Sequence, residues 1–249
     1  MLPSNFKPFK CSDLERLGSE NDGGYVVDKR SLLSSSNFIS LGICDNWEFE
    51  KDVKKYVEFK NHFYFDNQLS YRFLVINFLK NLIKFRFIDS IKALLKIFNF
   101  NKINSQYIKA TIGYDTNKSI SLKSIFGSYS ITESVFLKCD IEGSEYRILS
   151  DIISYQDLIN GICIEFHDVD VNLEKIENFI NEFNLKLCHI HANNYSGETP
   201  TGIPVCIELT FTKFDCDKAK VDSLPLAVDK PNNPLLNELI LKFSDEKAS

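Results

Sequence analysis

No two of the seven cysteines are spaced as CxxC, no apolar stretch is long enough to span a bilayer, and no excess of positive charge marks the chain. Each lack excludes something. Cys11, Cys44, Cys139, Cys163, Cys188, Cys206 and Cys216 offer no metal-finger or redox pair; four lie inside apolar runs, so they read as reduced core thiols of a cytoplasmic protein. The opening residues, MLPSNFKPFKCSD, lack the continuous apolar segment of a signal peptide, which again points to the cytoplasm. With a net charge of -5 and a pI near 5.5, the chain shows no global electrostatic footprint for nucleic acid. Internal repeats and low-complexity tracts are absent too. What remains is an ordinary globular composition, 249 residues with 44% hydrophobic and 25% charged, enough for one α/β domain over 1–249.

Short β-branched or aromatic runs ending in Gly, Asp or Asn alternate with helical patterns, the signature of a largely parallel sheet. Seven strands are expected: 38–41, 62–65, 107–112, 135–139, 161–166, 185–190 and 204–211. Helical spacing over 47–59, 144–152 and 173–183 places helices after the first, fourth and fifth of them. Between the last two lies only NNYSGETPTG, too short for a crossover helix, so they should form an antiparallel hairpin. Two segments stand outside this core. Residues 12–30, with an Asp22-Gly23-Gly24 turn, predict a short hairpin in front of the sheet, either a lid or an edge. Residues 69–105, after the second strand, predict an insertion of one or two helices, with Arg72, Lys80, Lys84, Arg86, Lys92 and Lys96 against the single acid Asp89. A helical pair that caps the domain or forms a homo-oligomer ranks ahead of a basic face lying on a membrane.

Candidate chemistry gathers at strand ends. In FISLGICDNWEFEKD, Gly42 permits a sharp turn and close approach to a ligand, while Asp45, Asn46 and Glu48 open the next helix. A dinucleotide site would need GxGxxG, and these acids would repel a pyrophosphate, so a nucleoside without phosphates fits better. In YFDNQ, Asp66 lies about 20 residues beyond that glycine, the spacing at which an acid accepts both ribose hydroxyls; taken alone it is equally a helix N-cap. In FLKCDIEGSEYR, alternation puts Phe136, Lys138 and Asp140 on one side with Asp140 at the strand end, while Glu145 suits the dipole of the following helix. Cys163, Glu165 and His167 share a side of the next strand, and His189 and His191 of the one after, which runs into Asn193 and Asn194. His167 and His191 beside Asp140 can deprotonate a hydroxyl or hold a divalent metal.

Assembled in this order, RLGSENDGGYVV, FISLGICDNWEFE, YFDNQ, FLKCDIEGSEYRIL, IEFHDVD and HIHANNYSG resemble the FkbM-like family of S-adenosylmethionine-dependent methyltransferases, particularly members encoded with surface-polysaccharide enzymes. The resemblance covers about residues 12–212, and the basic 69–105 segment departs from it. It implies the class I, Rossmann-like methyltransferase fold: seven strands, mostly parallel, with a terminal antiparallel hairpin. It also implies O-methylation of a sugar hydroxyl in a sugar nucleotide or capsular polysaccharide precursor; the cytoplasmic reading, and not the resemblance, favours sugar nucleotides. On that reading His167 is the base, Asp140 and His191 position the acceptor directly or through a cation such as magnesium, and Gly42, Asp45, Asn46, Asp66 and Asn67 hold S-adenosylmethionine with Asp22 and Tyr25.

Three rivals remain. A metal-dependent hydrolase would use Asp140, His167 and His191 as its metal centre and have no need of Gly42 and Asp66. A glycosyltransferase would use Asp168-Val169-Asp170 as a DxD motif, a pattern common by chance. A noncatalytic membrane scaffold would use the basic segment as its surface.

Overall fold

The computed structural model describes residues 1–104 and 107–244, without the side chains of 101–104. In chain order its strands and α-helices are β1 (Leu14–Gly18), β2 (Gly24–Asp28), α1 (Lys29–Leu33), β3 (Asn37–Leu41), α2 (Glu48–Tyr56), β4 (Asn61–Asp66), α3 (Tyr71–Ile83) and α4 (Phe87–Asn104). They continue with β5 (Tyr107–Lys109), β6 (Thr111–Ile112), β7 (Ser119–Ile120), α5 (Leu122–Ser128), β8 (Val135–Cys139), α6 (Leu149–Ser154), β9 (Ile159–Phe166), α7 (Val169–Glu182), β10 (Lys186–Ala192) and β11 (Ile207–Thr212).

Seven strands form one sheet in the order β10-β11-β9-β8-β3-β4-β5. The β3, β4, β5, β8 and β9 pairs are parallel, whereas β11 runs antiparallel to both β10 and β9. This mixed α/β arrangement fits a Rossmann-like methyltransferase fold. The central strands β3, β8 and β9 are buried throughout, as strands covered on both faces must be, which is why they read as nearly continuous apolar runs. Period-two alternation still sorts their side chains. Ile39, Leu41, Leu137 and Cys139 enter one core with α5, α6 and α7, while Phe38, Phe136 and Cys163 enter a second with Val27, Phe49 and Val53. Lys138 and Asp140 follow Phe136 and so belong to the second face.

Four expectations change in detail. Residues 107–112 are not one strand: Ala110 donates its N–H to Asp66 O at 3.1 Å as the chain rounds the end of β4, and β6 then pairs with β7 outside the main sheet. Residues 144–152 are not one helix, because Glu145–Arg147 form a 3-10 turn before α6. The β1–β2 hairpin is no sheet edge. It lies over the second face, where Thr210 Oγ1 donates to Val26 O and Thr212 Oγ1 to Asp28 Oδ2 at 2.5 and 2.7 Å. Cys139, Cys163, Cys188 and Cys206 are buried free thiols, but Cys44 is exposed.

The 69–105 segment, whose last residue Ser105 lies outside the described residues, contains two helices joined by Lys84, Phe85 and Arg86. Ser70 caps the first by accepting from Phe73 N at 3.2 Å. Leu74 and Phe100 anchor the pair in the second core. No helix among the described residues is long and apolar enough to cross a membrane.

Candidate active site

The carboxyl ends of β3, β4, β8 and β9 converge, as open α/β sheets place their ligand crevices. Gly42 follows β3 with φ of +78°, and a Cβ there would lie 1.6 Å from Asp140 O. Two strand ends therefore touch at Gly42, a demand that stands whether or not a ligand approaches it. Its N–H donates to Phe65 O at 2.8 Å and its carbonyl accepts from Lys138 Nζ.

Asp66 closes β4. Its Oδ2 accepts from Cys44 N at 2.9 Å, and its Oδ1 from Gln68 N and Leu69 N at 2.6 and 2.8 Å. A carboxylate offers about four acceptor positions, so one is left for a ribose hydroxyl rather than two. Capping and ligand binding are thus combined in one residue. Beside it opens a cavity of about 290 Å³, lined among others by Gly42, Phe65, Asn67, Ala110, Ile112 and Asp140. Apolar side chains such as Phe65, Ala110 and Ile112 alternate there with carboxylates and amides, a mixed lining that suits a nucleoside with its apolar base and polar ribose. Asn67 belongs to this cavity and donates to Thr111 Oγ1 at 3.1 Å.

Asp45 and Asn46 do not line this cavity. They face a smaller space of about 150 Å³ between the N-terminal hairpin and α2. Asp45 is paired with Lys96 at 3.0 Å, and Asn46 Nδ2 donates to Asp22 O at 3.0 Å, so the helix opening they form is tied to α4 and the hairpin. Tyr25 lines the same smaller space, and Asp22 extends into a further chamber.

That chamber, about 250 Å³, shares Asp140 and Glu142 with the nucleoside-sized cavity and adds Asp22, Glu165, His167, Asn193, Tyr195 and Ser196. Among the described residues no lysine or arginine lines it. Burial, then repulsion by Asp140 and Glu208, pushes the Glu165 carboxyl up to about 8. Its Oε1 accepts from Asn193 Nδ2 at 2.8 Å and Cys206 Sγ at 2.9 Å, and its Oε2 lies 3.0 Å from Tyr25 Oη. Tyr25 has one proton, which goes to Asp140 Oδ2 at 2.8 Å. The Glu165 contact is therefore satisfied when the protonated carboxyl donates to Oη.

His167 Nδ1 is 3.1 Å from Glu145 Oε1, and its Nε2 is 3.5 Å from Glu142 and 3.9 Å from Asp140. Burial opposes a charge on the ring, but Glu145, Glu165 and Asp140 outweigh it and raise His167 to about 9. At neutral pH the ring is an imidazolium whose Nδ1–H donates to Glu145. Glu145 is fully buried and also accepts from Ile141 N and Gly143 N at 3.0 and 3.2 Å, so it organises the loop and the histidine rather than facing a helix dipole in solvent. Within that loop Glu142 holds φ of +54°, a strained conformation typical of functional sites.

His191 is not brought to this cluster. Its ring sits 3.2 Å from Glu238 and 3.6 Å from Glu208, 3% exposed, while His189 pairs with Asp229 at 2.8 Å. The segment after β11 covers that side of β10 and supplies Asp229 and Glu238, which took no part in the strand-end reasoning. The trio able to share a cation is Asp140, Glu142 and His167, whose ligand atoms lie within 4.8 Å of one another; Glu142 stands where His191 was expected. Glu165, His167 and Cys206 form a second such group. Asp168 and Asp170 are exposed and flank buried Val169, so the two acids do not point inward together as a DxD pair.

Lys138 was visible as the charge in FLKCD but had no assigned role. It is buried 5.2 Å from the Tyr25 ring centroid and 3.4 Å from Asp140 Oδ2, and although burial opposes its charge, Asp140 and Glu50 keep it protonated. Glu165 is the other inward charge the alternation exposed, and only the fold shows its neutral state.

No curated protein matches the chain. Residues 83–188, from the end of α3 into β10, match the family model described as the methyltransferase FkbM domain. That span holds Asp140, Glu142, Glu145 and His167, while Gly42 and Asp66 precede it in the same sheet. Sheet order and crevice agree with the matched segment, which is similar to the methyltransferase FkbM domain.

Proposed function

We propose that the protein transfers a methyl group from S-adenosylmethionine to a hydroxyl of a sugar or similar polyol. The observation that carries this reading is the pair of chambers meeting at Asp140 and Glu142, one nucleoside-sized with a carboxylate at β4, the other lined by hydrogen-bonding side chains. S-adenosylmethionine supplies an electrophilic methyl on its sulfonium, so the protein's tasks are alignment of the acceptor oxygen and removal of its proton. Gly42, Asp66, Asn67, Ala110 and Ile112 hold the cofactor. Asp22, Asn193, Tyr195 and Ser196 orient acceptor hydroxyls.

His167 accepts the hydroxyl proton at Nε2 once it has lost its own, and Glu145 fixes the ring through Nδ1. With His167 near 9, this step gains population as pH rises through 8 to 9. Asp140, Glu142 and His167 Nε2 also suit a hard divalent cation such as magnesium or manganese, as an alternative to His167 acting as the base, because a cation would occupy the lone pair that otherwise accepts the proton. Bound there, the cation would supply positive charge that stabilises a developing alkoxide. The chamber's acidic lining also bears on the acceptor. A diphosphate inside it would face the carboxylates Asp22, Asp140 and Glu142 with His167 as the one cation among the lining side chains, so a sugar nucleotide would enter sugar first with its phosphates outside. A neutral glycoside meets no such penalty.

The hydrolase alternative loses its metal triad, since His191 lies in the Glu208–Glu238 pair. The test is transfer of isotopically labelled methyl from S-adenosylmethionine to a panel of neutral glycosides and sugar nucleotides, with and without magnesium, for wild type and His167→Asn. Label on an acceptor oxygen, lost in the variant, is the expected result. Label appearing only on nitrogen, or on no acceptor, overturns the reading.

A further inference from the structure

Among the described residues, thirteen of the twenty-three exposed large apolar side chains lie between Tyr71 and Phe98, on α3, α4 and their connection. The pair is built inside out. In the middle of α4 the buried residues are Ser90 and Ala93, while Ile91, Leu94, Leu95 and Phe98 face outward. A helix packed in water normally does the reverse, burying its large apolar face; small residues between helices and large ones outside belong to apolar surroundings.

The tip makes the same point. Leu82 to Asp89 are all exposed, and Ile83, Phe85, Phe87 and Ile88 reach 76, 78, 64 and 72%. A turn in water ordinarily carries polar residues. Here Lys84 and Arg86 alternate with the aromatics instead.

Charge selects the occupant. From Tyr71 to Phe100 there are six basic side chains against the single acid Asp89, in a chain whose net charge is -5. A second copy docking through this face would bring two positive surfaces together. An anionic bilayer surface offers the acyl boundary for the tip and phosphates for the cations at once. At 13 and 18 residues, α3 and α4 are suited to lie in or dip into an interface.

We propose that the α3–α4 hairpin seats the protein on anionic phospholipid, with Phe85, Phe87 and Ile88 at the acyl boundary and Lys84 and Arg86 among the headgroups. The hairpin base is joined to the cofactor side of the fold. Lys96 pairs with Asp45, and Phe100 packs against Trp47 with ring centroids 6.4 Å apart. Docking therefore orients the crevice relative to the bilayer. The proposal stands whichever acceptor is methylated.

The test is sedimentation of the full chain with vesicles of phosphatidylcholine containing about 30% phosphatidylglycerol, and with phosphatidylcholine alone, at near-physiological salt. Wild type should pellet with the anionic vesicles and far less with the neutral ones. Lys84→Glu/Arg86→Glu should weaken partition by about tenfold or more, and Phe85→Ser/Phe87→Ser/Ile88→Ser should abolish it, each variant keeping the wild-type thermal midpoint. The proposal fails if wild type stays in the supernatant or if both variants bind like wild type. It also fails if light scattering shows a wild-type dimer that the triple serine variant converts to monomer without any vesicle binding, which would give the face to a second copy.

Discussion

Replacing Glu145 with glutamine isolates the group that keeps His167 charged. The amide would retain an acceptor oxygen for the Ile141 and Gly143 N–H groups, which Glu145 Oε1 now serves, so the loop should survive while the negative charge is lost. The rise of His167 from 6.5 to about 9 corresponds to about 3 kcal/mol in favour of the imidazolium. Burial works against that charge, and Glu145, in contact at 3.1 Å, is the foremost group opposing burial. In Glu145→Gln, His167 should therefore titrate at least about one unit lower. Proton NMR of the imidazole Cε1–H follows it directly in metal-free buffer. His62, depressed to about 4 by burial, is resolved by its midpoint, and His191, also raised to about 9, is assigned by His191→Gln. A His167 midpoint within about half a unit of wild type, in a folded variant, would refute this account of the site's electrostatics.

Other outcomes follow from the same geometry. Stability of the ligand-free protein should fall between pH 6 and 9, followed by thermal midpoint: the raised His167 stabilises below 6.5 and loses that contribution through about 9, and the raised Glu165 loses stability as its unfolded counterpart ionises above 4.5. Glu165→Gln should flatten that fall. Gly42→Ala should cost more than about 3 kcal/mol in urea unfolding because its Cβ meets Asp140 O, whereas Gly197→Ala, at φ of +70° with open space, should cost about 1 kcal/mol. His191→Gln should lower stability by about 1–3 kcal/mol through its buried carboxylate partners while leaving the His167 titration in place, a split that a shared catalytic or metal role would not produce.

Much of the sheet was legible because the buried parallel strands advertise themselves: VFLKC is apolar except for Lys138, and that exception points at the crevice. The β10–β11 hairpin followed from a linker too short to cross over. Other features needed the third dimension. Tyr107 to Ile112 looks like one strand because nothing in its residues announces that Ala110 must bond to the end of β4. His191 looked like a ligand by alternation alone, which gives the side of a strand but not what covers it; Glu238 arrives from a segment 47 residues later. Glu145 read as an acid complementing the dipole of the next helix, because its actual place depends on a buried loop it organises itself. Asp45 and Asn46 do lie just before the start of α2, but Lys96 of α4 claims the Asp45 side chain and the hairpin above claims that of Asn46.

The central claim, a nucleoside cofactor in the cavity beside Asp66, is tested most directly by isothermal titration with S-adenosylhomocysteine of wild type, Asp66→Ala and Ala110→Trp, the last filling the cavity without touching the carboxylate. The account predicts one equivalent bound by wild type, weakened in Asp66→Ala and abolished in Ala110→Trp at an unchanged thermal midpoint. No binding by folded wild type, or undiminished binding by Ala110→Trp, would contradict it.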